Sequence, residues 1–206
     1  MGFGIVLAVT LSVALSPWIA RYRRNSRLRA AIPRVYAEIY GQRQSITRAI
    51  ESYKQTLNFY PPDHVLQQKP LVVDAFTNTL LYELVGSLHD STNHFFEPAG
   101  FAPISAQTVR KYFHTDHFAN TVEQRGEIRH FLDASNIIAT MAVNQKPDVA
   151  LLAYFPSWEG IEPELLGEIE LGSWHYNQSA PIHNPGSYDL WIEIHTPLTN
   201  IVIGNW

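Results

Sequence analysis

One helical pattern occupies the first quarter of the chain and limits what the rest can fold into. Ile32, Val35, Ile39, Ile46, Ala49, Ile50, Tyr53 and Leu57 recur at spacings of three, four or seven, which places them on one side of a helix. Pro61-Pro62 stops that helix, and Pro33 inside it predicts a kink. Upstream, FGIVLAVTLSVALSPWIA (residues 3–20) carries no charge. As a helix this run would extend about 27 Å, against a hydrocarbon core of about 30 Å, so it predicts a membrane anchor over residues 1–25. Trp18 and Tyr22 stand at its end, where amphipathic rings prefer an interface, and Pro17 predicts a second kink. A cleaved secretory signal is the rival reading; with no basic segment before the run, the retained anchor is preferred.

A helix of this length must be covered along its stripe, and residues 26–206 are expected to supply one globular domain for that purpose. The stem helix spans 26–57, and a second helix is expected over LVVDAFTNTLLYELVGSL (71–88), with Gly86 as its terminator. STNHFFEPAGFAP (91–103) reads as a loop, and Ser105 as the cap of a short helix ending at Phe113. Residues 127–142 fit helix or strand equally. Strands are expected at 148–155 and 168–176, the latter with Trp174 and Tyr176 on one face. After the turn formers Asn184-Pro185-Gly186-Ser187, two further strands, 188–194 and 200–203, complete a small antiparallel sheet over about 148–206. The fold class is therefore α+β: a long N-terminal helix packed on a small C-terminal antiparallel sheet, with short helices between.

Charge is divided unevenly. Residues 1–54 hold nine Lys/Arg and two acids, while residues 147–206 hold eight acids and no Lys or Arg. Arg21, Arg23, Arg24, Arg27 and Arg29 follow the apolar run and read as a collar for lipid headgroups, since no nucleic-acid-binding motif accompanies them. The 46% hydrophobic and 12% aromatic content is that of a chain with a real core, not of a disordered one. Without cysteine there is no disulfide and no thiolate metal site.

Enzymatic chemistry finds little footing. His114-Thr115-Asp116-His117, with His130 beyond, is the densest set of metal-ligand types, but it lacks the three or four ligands and second shell that zinc needs. Glu159, Glu162, Glu164, Glu168 and Glu170 fit a solvated acidic face better than an acid/base pair. Neither a nucleophile elbow nor a phosphate or dinucleotide loop is present. No catalytic residue, cofactor or metal is assigned.

Both ends of the domain carry a family likeness. SITRAIESYKQTLNFYPP (45–62), with Tyr53, Tyr60 and Pro61, resembles the stem end of type II secretion pseudopilins. WHYNQSAPIHNPGSYDLW, with Trp174, Tyr176, Tyr188, Asp189 and Trp191, and the closing Gly204-Asn205-Trp206 are similar to the tail of the major pseudopilin in the type IV pilin-like superfamily. NTLLYELVG (78–86) looks like that family's second helix. The resemblance implies a structural subunit that assembles through its N-terminal helix to support protein export. Its partners would be further copies (a homo-oligomer) or other pseudopilins, and an inner-membrane secretion platform; no nucleic acid is implied. The protein would be a single-pass inner-membrane protein with its domain in the periplasm. The positive-inside rule opposes that orientation, but the matches at both ends are more specific than a charge count.

Three features depart from the family pattern. Gly2-Phe3 matches the processing junction, but no basic leader precedes it. Leu7 replaces the glutamate at the fifth mature position. The acidic calcium loop is reduced to Glu193, so no calcium site is expected there. Residues 95–170 have no counterpart in the resemblance. The alternatives are a membrane-anchored binding protein of the same fold that does not polymerise, and an anchored hydrolase or metalloprotein using His114, Asp116 and His117.

Overall fold

The computed structural model describes residues 3–63, 79–123, 126–133, 165, 169–170 and 172–206, with the side chains of residues 3–17 outside the description. Helix α1 (Phe3–Leu57) is a continuous 55-residue helix that passes through both Pro17 and Pro33. Its stripe is as narrow as the spacing predicts. Leu28, Val35, Ile39, Ile46, Ala49, Ile50 and Tyr53 are buried, while Pro33, Arg34, Tyr40 and Arg48 are exposed. Each fully buried aliphatic side chain in that row contributes about 1.5–3 kcal/mol of transfer free energy, which fixes the domain along the second half of the helix.

From Trp18 onward α1 is first arginine-rich and then one-sidedly apolar, a pattern that suits a helix packing on its own domain. Among the described residues no helix is long and apolar enough to cross a membrane. A spanning helix needs about 20 predominantly apolar residues, so the transmembrane anchor expected over 1–25 is corrected. The consequences drawn from it fall too: the type II secretion pseudopilin assignment and its filament role, the anchored non-polymerising alternative, and the membrane and secretion-platform partners with homo-oligomeric assembly. The single-pass inner-membrane placement with a periplasmic domain falls with them. Of the expected fold class, the long N-terminal helix and the small antiparallel sheet remain.

Among the described residues there are two sheets, where one was expected. Helix α2 (Leu80–Val85) has all six residues buried, and Gly86 ends it with its N–H on the Tyr82 carbonyl at 3.0 Å. The chain then enters strand β1 (Ser87–Asp90), which pairs antiparallel with β2 (Phe95–Pro98) inside the segment read as loop. Asp90 holds the intervening turn, accepting from the Thr92 and Asn93 amides at 2.9 and 3.1 Å. Strand β3 (Ile104–Ser105) leads into helix α3 (Ala106–Phe113), whose first turn is capped by Ser105 Oγ accepting from the Thr108 amide at 3.1 Å. With β4 (Thr121–Glu123) added parallel to β1, the sheet order is β3-β2-β1-β4. Its core is aromatic: Tyr82 stacks on Phe118 at 4.7 Å, and Phe96 and Phe113 meet the same ring edge-on.

The second sheet is β5-β6-β7 (His175–Asn177, Asp189–His195, Asn200–Gly204), antiparallel throughout. Strand β6 alternates strictly from Leu190: Leu190, Ile192 and Ile194 face inward and are buried, while Trp191, Glu193 and His195 face outward. Ile201 and Ile203 join the inner face from β7. Of the strand expected over 168–176, the described residues show β5 from His175 and an isolated bridge from Glu170 to His195, with residues 168 and 171 outside the description. The strand expected at 148–155 and residues 134–142 lie outside the described residues, as do the first part of the expected second helix (71–78) and Gly2.

Candidate functional site

The residues picked out at the two ends of the domain meet where α1, the Pro61 turn and the C-terminal sheet come together. Tyr176 is fully buried and donates its hydroxyl to the Pro61 carbonyl at 2.9 Å. Tyr60 packs edge-on against Tyr188 at 5.2 Å and accepts from Ser187 Oγ at 3.2 Å. Trp174, 1% exposed, reaches Gln42 Oε1 through its indole N–H at 3.4 Å. The Arg43 guanidinium donates to the Gly204 carbonyl, tying the middle of α1 to the end of β7. Burial raises the Tyr176 and Tyr188 hydroxyl pKa values above the ordinary tyrosine value, so both stay protonated donors at neutral pH. Tyr53 lies further along, on the α2 side, and donates to Glu83 Oε2 at 2.9 Å.

Asp189 organises the loop before β6. It is 2% exposed, and its carboxylate accepts from the amides of Ile182, His183 and Asn184 at 2.6, 2.9 and 2.9 Å, and from Asn184 Nδ2 at 3.1 Å. Asp63 grips the start of the same loop, accepting from the amides of Gln178 and Ser179 at 2.7 and 2.8 Å. Pro185 and Gly186, the latter with φ of 83°, occupy the central positions of a turn closed by the Ser187 amide on the Asn184 carbonyl. Asn205 locks the far side: its Oδ1 accepts from the Leu190 amide and from Asn184 Nδ2, and its Nδ2 donates to the Tyr188 carbonyl.

This scaffold presents an aromatic surface on the outer face of the sheet. Trp191 lies opposite His175 in the β5–β6 register, and their rings stack at 4.9 Å. On the other flank Trp191 faces Gly204, the one β7 position without a side chain. Trp206 folds back over that vacancy. A Cβ on Gly204 would stand 2.5 Å from two carbons of the Trp206 ring, so glycine is required for the ring to lie there. Trp206 then stacks on His183 from the Asp189-held loop at 3.9 Å and sits 6.2 Å from Trp191 at 54°. The result is a groove of about 400 Å³ lined by Ile182, His183, Trp191, Glu193, Val202 and Trp206 among others. Half of Trp206 is exposed, as are 58% of Val202 and 78% of Ile182.

The tail pattern had singled out Asp189, Trp191, Gly204, Asn205 and Trp206, all of which build or support this groove. It did not single out His175, His183, Ile182 or Val202, and it took Glu193 as the remnant of a calcium loop. The period of two along β6 places Glu193 beside Trp191; the stacking of two histidines comes from loop and register geometry that no local pattern displays. His114, Asp116 and His117 do not converge. His114 is the left-handed C-cap of α3, Asp116 pairs with Arg110 at 2.6 Å on an exposed surface, and His117 sits in a turn with Thr115. Among the described residues no group of three or more His, Asp or Glu is placed to hold a metal.

No protein-family model, no curated protein and no solved structure matches the chain.

Proposed function

We propose that the protein is a binding module, without catalytic chemistry of its own, that engages a partner through the outer face of its C-terminal sheet. The observation that carries this reading is the cluster of exposed aromatic and aliphatic side chains around Trp191 and Trp206. Contiguous apolar surface of this kind, rimmed by polar groups, is characteristic of interaction sites. Its support is unusually well tied: Asp189, Asp63 and Asn205 spend their polar atoms on loop and strand backbone. A face held in place before binding loses little conformational freedom when a partner arrives.

The reading is tested by placing a photoreactive phenylalanine analogue at Val202, inside the groove, and at Gln107, exposed on α3, in the source cells. A discrete cross-linked product from Val202, absent from Gln107 and lost when Trp191→Ala is added, is the expected result. No product, or the same products from both positions, would remove the face from consideration.

A further inference from the structure

The charge around the groove narrows the kind of partner it suits, and this step rests on the binding reading above. Residues 147–206 contain eight acids and no lysine or arginine, so the sequence that builds the sheet supplies no cation of its own to the groove. Of the two carboxylates lining it, Asp189 is buried and committed to three backbone amides, whereas Glu193 is exposed. Glu193 stands two residues from Trp191 on the same face and opposite Val202 in the register. Two indole rings set at 54° thus share a groove with one solvent-facing carboxylate. Indole faces attract cations through their quadrupole. A guanidinium adds a flat surface that stacks on a ring and a fork that matches a carboxylate.

We propose that the groove receives an arginine side chain from a basic segment of a partner protein, its guanidinium stacked on the Trp191–Trp206 pair and paired with Glu193. An ammonium would gain the charge contact but not the planar stacking, which ranks lysine below arginine. An anionic or neutral segment would leave Glu193 without a counter-charge.

The experiment uses the full-length protein labelled with ¹⁵N and follows the indole N–H signals of Trp191 and Trp206. Three blocked glycine–serine peptides are titrated, bearing arginine, lysine or citrulline at the same position; citrulline keeps the planar shape and loses the charge. The expected result is saturable movement of both signals with the arginine peptide, weaker binding of the lysine peptide, and loss of about three- to thirtyfold in affinity with citrulline. Glu193→Gln, on an exposed strand position, should weaken the arginine peptide to a similar degree and the citrulline peptide distinctly less. Equal binding of arginine and citrulline peptides would overturn the inference while leaving a binding face. Unmoved indole signals, with the Val202 cross-link still formed, would do the same; loss of the cross-link as well would remove both. Sedimentation showing self-association that Glu193→Gln and Trp206→Ala abolish would assign the groove to the arginines of a second copy, and would equally overturn a separate partner.

Discussion

Gly204 and Asp189 show how single residues determine whether the outer face exists. At Gly204 the constraint is space, because the Trp206 ring occupies the volume that any side chain would need. Gly204→Ala should expel Trp206, break its stacking on His183 and cost about 0.5–1.5 kcal/mol, the worth of an aromatic pair. The check is the Trp206 indole signal, which should move to a solvent-exposed position while the Trp174 signal, inside the core, stays. At Asp189 the constraint is hydrogen bonding: both carboxylate oxygens accept, Oδ2 from two backbone amides and Oδ1 from an amide and a side chain. Asp189→Asn turns an amide NH₂ toward donors whichever way it is placed, and should cost about 1.5–3 kcal/mol in urea denaturation. A change below about 0.5 kcal/mol, the scatter of ordinary surface substitutions, would mean the loop holds without it. Trp191→Ala should be milder than any truncation of the inward-facing Leu190, because Trp191 is only half-buried and Leu190 is fully so.

Among the elements, the six-residue helix α2 carries the least expected residue, a fully buried glutamate. Glu83 accepts from Tyr53 on α1 and from the amides of Ala119 and Asn120 just before β4, so one carboxylate joins three parts of the chain. Burial raises its pKa despite the donors turned toward it. A carboxylate whose pKa is raised on folding keeps its proton in the folded state at pH values where the unfolded chain has released it. The folded state then binds more protons, and stability falls as pH climbs from the ordinary glutamate range through the raised value. Glu83→Gln has no such proton, so the difference in stability between wild type and variant should change with pH across that window. A difference that stays constant from pH 4 to pH 8 would contradict the shift. How far the elements were legible follows the same division between local and distant causes. The α1 stripe and the Ser105 cap depend on near neighbours and could be read directly. The β1–β2 hairpin could not: its strands are four residues each, Gly86 reads as the end of a helix, and Pro98 with Gly100 reads as loop. Their outer neighbours come from elsewhere in the chain: β4, more than thirty positions away, pairs with β1, and β3 with β2. The tail residues were legible as a set, while the groove they form was not, since it needs His175 and His183 brought in from outside β6 and β7.

At the scale of the whole molecule, α1 from Trp18 onward is two different helices joined end to end. From Leu28 to Tyr53 one side is covered by the domain, and the buried positions continue without a long gap. From Trp18 to Arg27 every side chain is exposed or nearly so, and Trp18 stacks on Tyr22 at 5.9 Å. Helices in water take most of their stability from the packing of a face, and a segment without one is marginal on propensity alone. Backbone hydrogen exchange should therefore change sharply near Leu28. Amides of Val35 to Tyr53 should exchange only through global unfolding, because opening them breaks the core. Amides of residues 18–27 should exchange orders of magnitude faster through local opening. Ile46→Ala, which removes a fully buried side chain at a cost of about 2–5 kcal/mol, should speed exchange throughout the slow segment and leave the fast one unchanged. If residues 18–27 instead exchanged as slowly as the core, some surface must cover them in solution, and the boundary at Leu28 would not be the edge of the folded unit.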